Sequence, residues 1–153
     1  MFRYLFLVFL SIGIFTSCTT KNIDLLSKDS LYKLGLENTK IKSILHNNDV
    51  EGLINITYLN PTSPQKYDKK YNEFLVGIYL DNNKEQYHVS LNSKKYVYKE
   101  LLKKSSKLYK NIPSFNPYAK YYIIKFKKEK SKKLNFELVH NIYGKTTIVF
   151  DTF

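Results

Sequence analysis

The sequence predicts a mostly-β domain, an antiparallel β-sandwich of about seven short strands with one or two short helices. Three observations lead there. Apolar and polar residues alternate at period two in several stretches. Clusters of Asn, Asp, Gly and Pro separate those stretches at short intervals. The 153 residues are 43% apolar and 25% charged, the balance of one globular domain and not of a disordered chain.

The elements follow in order. Asp29-Ser30 ahead of Leu31, Leu34 and Gly35 caps one or two helical turns. Thr39 to Leu45 and Gly52 to Leu59 read as two strands joined by His46-Asn47-Asn48-Asp49, because Asn and Asp accept the left-handed conformations a tight reversal needs. In the second strand Ile54, Ile56 and Tyr58 share one face, Asn55 and Thr57 the other. Asn60-Pro61-Thr62-Ser63-Pro64 opens an exposed loop that runs to about Asn72. Glu73 to Leu80 is the most apolar stretch and reads as a central strand, and Tyr87 to Leu91 alternates cleanly after Asp81-Asn82-Asn83-Lys84. Lys120 to Phe126, Leu134 to His140 and Thr146 to Phe150 complete the seven. Between them, Leu101, Leu102, Leu108 and Tyr109 recur at helical spacing and predict a short connecting helix that Ile112-Pro113 stops.

The strand order resembles an immunoglobulin-like sandwich, a likeness of pattern alone. With one Cys and no Trp, the chain lacks the Cys pair and core Trp of true immunoglobulin domains.

The N-terminus carries an address. Residues 1–17 have the basic start, apolar centre and small-residue boundary of a secretory signal peptide, and the apolar run of roughly a dozen residues falls short of a ~20-residue membrane span. Phe15-Thr16-Ser17-Cys18 resembles the lipobox of bacterial lipoproteins, with Phe where Leu is usual. That resemblance implies cleavage between Ser17 and Cys18, a diacylglyceryl group on the Cys18 thiol and often an N-acyl chain. Residues 18–24 then form a lipidated tether and 25–153 the sandwich domain. Thr19, in place of the Asp that marks inner-membrane retention, points to the periplasmic face of an outer membrane; in a Gram-positive cell the site is the outer face of the cytoplasmic membrane. The signal, the Thr57-Tyr58-Leu59-Asn60-Pro61 run and the strand order together resemble small lipoproteins of AT-rich Gram-negative bacteria, a likeness that carries no activity with it.

The formal net charge is +12, and the whole excess lies between Lys94 and Lys133, where fourteen Lys face Glu100 and Glu129. Lys103, Lys104, Lys107, Lys127, Lys128, Lys130, Lys132 and Lys133 are the candidate anion-binding residues, interleaved with tyrosines. Outside the cytoplasm the fitting anions are lipid headgroups, lipopolysaccharide phosphates and acidic glycans; export removes the usual nucleic-acid partners. Of 25 basic residues all but Arg3 are Lys, whereas dedicated phosphate sites favour the bidentate Arg, and solvated edge-strand lysines that discourage sheet pairing account for the same residues.

Catalytic and metal constellations are absent from the sequence. His46, His88 and His140 form no ligand pair, and the calcium-like start at Asp81 fails at Gln86 and Asn92. The expectation is a non-enzymatic protein with no cofactor beyond the acyl lipid on Cys18. Its first expected role is a binding or accessory module that contacts another envelope protein through a Tyr-rich sheet face or edge, with Tyr79, Tyr121 and Tyr143 facing outward. The alternative role is binding of an anionic envelope polymer, lipopolysaccharide or peptidoglycan, through residues 94–133.

Overall fold

A computed structural model describes residues 33–63, 66–67, 69–81 and 86–152. The signal segment, Ser17, Cys18, the tether and the Asp29-Ser30 cap lie outside them, as do 82–85. Residues 33–37 are helical (α1). The strands are β1 (Thr39–His46), β2 (Asp49–Tyr58), β3 (Tyr71–Leu80), β4 (Tyr87–Leu91), β5 (Lys94–Lys95), β6 (Tyr98–Leu101), β7 (Lys120–Lys127), β8 (Lys133–His140) and β9 (Gly144–Asp151). They form one sheet in the order β1-β2-β3-β7-β6 and another in the order β5-β4-β8-β9, antiparallel throughout.

With β2 taken as strand A, the sheets read A-B-E-D and C′-C-F-G, which is the immunoglobulin order, with β1 added outside A. The sandwich expected from the sequence is therefore the one observed. Its seven expected strands are all present; β5 and β6 are additions. β6 escapes sequence reading because Tyr98, Glu100 and Leu101 are all exposed, so no buried face imprints an alternation. The expected helix over 101–111 does not form: only Tyr109–Asn111 make a 3-10 turn, and Leu102 and Leu108 serve another purpose.

That purpose is a second apolar layer. The inner faces of both sheets meet in one core that includes Ile54, Ile56, Phe74, Val76, Ile124 and Phe126 from one side and Leu134, Phe136, Leu138 and Phe150 from the other. Each such side chain contributes about 1.5–3 kcal/mol by burial. The outer face of the five-stranded sheet is also covered. There Leu59, Leu75, Ile112 and Tyr121 cluster with Leu102, Leu108 and Tyr109, because the 102–119 connection folds back as a strap across the sheet. Gly77 makes this possible, since a Cβ at that position would overlap the Tyr121 ring lying on it.

Asn55 latches the strap. On the outward face of β2, it donates from Nδ2 to the carbonyls of Pro113 (3.1 Å) and Ser114 (2.8 Å). Asn55→Leu is expected to cost about 1–3 kcal/mol, because a buried carbonyl loses its donor. Hydrogen exchange at strap amides should quicken more than at β8, and equal protection in both regions would contradict the latch.

Turn chemistry fits the residues present. Asn47 and Asn48 both have positive φ (51° and 71°), giving the two-residue hairpin with the strand-compatible twist. Gly144 (φ 76°) closes the β8–β9 connection in the same left-handed region. Lys40 and Lys42 reach from β1 to the Val149 and Thr147 carbonyls of edge strand β9, at 2.6 and 3.1 Å, which blunts that edge against foreign strands.

Candidate functional site

At one end of the sandwich a groove of about 940 Å³ is lined by Tyr58, Asn60, Pro61, Lys69, Asn72, Lys128, Glu129, Lys130, Ser131, Lys132 and Thr152. Strand pairing builds it. β3 and β7 run together until Tyr71 faces Lys127, and one residue on, Lys128 N–H donates to Lys70 O at 2.9 Å. This register places Lys69 across from the β7–β8 connection. Asn60 shapes the opposite wall by donating to Tyr71 O (2.9 Å) while accepting from Glu73 N–H (2.8 Å). Thr152 holds the β7–β8 connection, its N–H on Lys132 O (3.0 Å) and its hydroxyl on Ser131 O (2.5 Å).

The groove is cationic. Lys69, Lys128, Lys130 and Lys132 line it against Glu129, whose carboxylate pairs with Lys94 at 2.7 Å. Beside them lies a hydrogen-bond donor that the fold leaves unused. Asn72 is 1% exposed, its Oδ1 accepts from the Tyr58 hydroxyl at 2.9 Å, and its Nδ2 has no partner among the described residues. Burial raises the Tyr58 phenol above its ordinary pKa, so the hydroxyl stays protonated and keeps the amide oriented. Several ammonium groups together suit an anion.

The eight lysines singled out from the sequence are not brought together. Lys128, Lys130 and Lys132 line the groove. Lys127 and Lys133 end β7 and begin β8, exposed, outside the lining. Lys103, Lys104 and Lys107 belong to the strap, which leaves the opposite end of β7 where Leu102 N–H meets Tyr121 O. At ~3.3 Å per residue, the two groups hang from points roughly 20 Å apart along β7. Sequence reasoning missed Lys69 and Asn72; the Lys69-Lys70 pair was the available signal, lost in a loop whose charges balance over longer windows.

Other polar groups are absorbed by the fold. His140 is 1% exposed, accepts the Ile142 and Tyr143 N–H groups at Nδ1 (3.1 and 3.2 Å) and stacks on the Tyr143 ring. On the outer face of the four-stranded sheet, the Lys145 ammonium holds the Glu137 carboxyl below its usual range, and Ser90 donates to it at 3.0 Å. Among the described residues no three His, Cys, Asp or Glu side chains converge as a metal site, and no helix is long and apolar enough to cross a membrane. Of the tyrosines expected outward, Tyr121 is buried beneath the strap, and Tyr143 is half-buried against His140. Tyr79 is half-buried beside Tyr118.

The chain matches no family model, no curated protein and no solved structure.

Proposed function

We propose that this chain is a lipid-anchored cell-envelope domain that binds an anionic envelope component, lipopolysaccharide phosphates or an acidic glycan, through the groove at Lys69, Lys128, Lys130 and Lys132. The observation that carries the reading is a coincidence of place. The chain joins the sandwich at Asn38, whose carbonyl accepts the Tyr58 N–H at 2.9 Å, and Tyr58 lines the basic groove. The described chain thus enters β1 beside the cationic groove. Residues 19–32 separate Cys18 from the described chain, a reach of at most roughly 45–50 Å. An acylated Cys18 would tie the domain to a bilayer, and each Lys near an anionic surface contributes about 1 kcal/mol.

Cys18→Ser tests the anchor. Two or three acyl chains at about 0.8 kcal/mol per methylene hold a protein on a membrane, so the wild-type chain should fractionate with membranes and the variant should not. Mass spectrometry should find Cys18 acylated at a new N-terminus. A bare thiol on an intact leader would contradict the anchor.

A second reading, contact with another envelope protein, is favoured by one observation. Edge strand β6 and the turn before it expose Tyr96, Val97, Tyr98 and Leu101, at 42, 55, 42 and 56%. An edge left unpaired among the described residues, with apolar side chains, suits strand addition by a partner. Cross-linking in native membranes from Val97 should capture one specific protein if this reading holds.

A further inference from the structure

We infer that a cleft at the other end of the sandwich, lined by Tyr79, Asp81, Tyr87, Tyr118, Lys120 and Tyr122, is a binding site for one uncharged sugar ring. It is independent of the basic groove. β3 runs from Asn72 in the groove to Leu80 at the cleft, a separation of roughly 25–30 Å. The cleft therefore lies at the end away from Tyr58, where the chain joins the sandwich.

The lining chooses the ligand class. Among the described residues, four of the eight that line it are tyrosines, whereas the rings packed around Phe74 in the core are mostly phenylalanines. A ring meant only for burial needs no hydroxyl; a tyrosine suits a surface with one apolar face and a wet rim. Tyr118 is 80% exposed, and its ring stands 6.4 Å from that of Tyr79 at 57°, an open corner of two aromatic faces. Such faces stack against the C–H face of a pyranose. The Tyr79 hydroxyl donates to Asp81 Oδ1 at 3.2 Å, which orients the carboxylate so that, among the described residues, its second oxygen is left to accept from a ligand hydroxyl.

Charge favours neither sign of ion. Asp81 and Lys120 both line the cleft, so their charges offset one another. Lys99 already occupies the cation position over Tyr87 and Tyr122, with Nζ 4.9 and 4.4 Å from the ring centroids, so those rings are not waiting for an ammonium ligand. What remains is an uncharged, hydroxyl-rich molecule with an apolar face. The volume of about 230 Å³ lies below the ~300–1,000 Å³ of drug-sized sites and holds one ring, not a chain.

The test uses the full chain in a polyoxyethylene detergent, which has no sugar headgroup. The chain has no Trp, so its fluorescence reports tyrosine directly. Methyl glucoside, galactose, mannose and N-acetylglucosamine are titrated separately, with glycerol and a tyrosine-containing peptide as controls. At least one sugar should give a saturable change with Kd of about 1 mM. Tyr118→Ala and Asp81→Asn should each weaken it tenfold or more, whereas added salt and loss of the groove lysines should leave it unchanged. No saturable change with any sugar, an equal response to glycerol or the peptide, or binding retained in both variants would each overturn the inference. The salt and groove-lysine arms keep the outcome separate from the anion reading.

Discussion

Phe74→Ala is expected to lower the unfolding free energy by about 3–5 kcal/mol. Phe74 is fully buried at the centre of β3, stacked on Tyr58 at 5.0 Å and tilted or edge-on to Phe126, Phe136 and Phe150 at 5.9, 5.3 and 5.6 Å. These partners come from both sheets, so removing the ring opens a cavity that no single neighbour can collapse into. Because a whole domain is stable by about 5–15 kcal/mol, the variant should be marginal at best. Urea denaturation followed by circular dichroism measures the change. Leu101→Ala, exposed on β6, should shift the midpoint little. A loss below about 1 kcal/mol at Phe74 would show that the two sheets do not share one core around it.

Replacing Lys128, Lys130 and Lys132 together by Glu is expected to reduce binding to lipopolysaccharide about a hundredfold or more. Three lysines at about 1 kcal/mol each near an anionic surface account for two decades, and reversal adds repulsion. These three line one groove, and Glu129, the acid among them, is paired with Lys94, so the remaining field has one sign. Residual binding should also be less sensitive to salt, because screening acts on the charges removed. The groove chain folds locally through backbone and hydroxyl bonds from Thr152 and Ser131, none of which use the lysine ammonium groups. The far-ultraviolet spectrum should therefore be unchanged. Binding to within twofold of wild type would remove the groove from the account.

Strands with one buried face were readable from sequence: the inward set Ile54, Ile56 and Tyr58 alternates with Asn55 and Thr57, and the Asn47-Asn48 reversal announced its left-handed turn. The second layer was not. Asn55 and Thr57 look like a solvated face, yet both are buried: a strap from far along the chain bonds Asn55, and Thr57 pairs its hydroxyl with that of Thr39, which also meets the Gly35 carbonyl of α1. Leu102, Leu108 and Tyr109 mimic a helical stripe for the same reason, as apolar residues spaced to cover a sheet. The site divides similarly. Lys128, Lys130 and Lys132 are local in sequence, and the structure sets them along one groove. Lys69 and Asn72 join them through the β3–β7 register, and the orphaned Asn72 amide leaves no mark in composition or spacing.

The most direct measurement sets two triple variants of the full chain side by side in lipopolysaccharide binding across a salt series. One carries Lys128→Glu, Lys130→Glu and Lys132→Glu in the groove; the other carries Lys103→Glu, Lys104→Glu and Lys107→Glu in the strap. Both change the net charge equally, so attraction by overall charge alone predicts equal losses. The groove account predicts a loss of about a hundredfold for the first and less than about threefold for the second. Equal losses, or a larger loss from the strap, would contradict it.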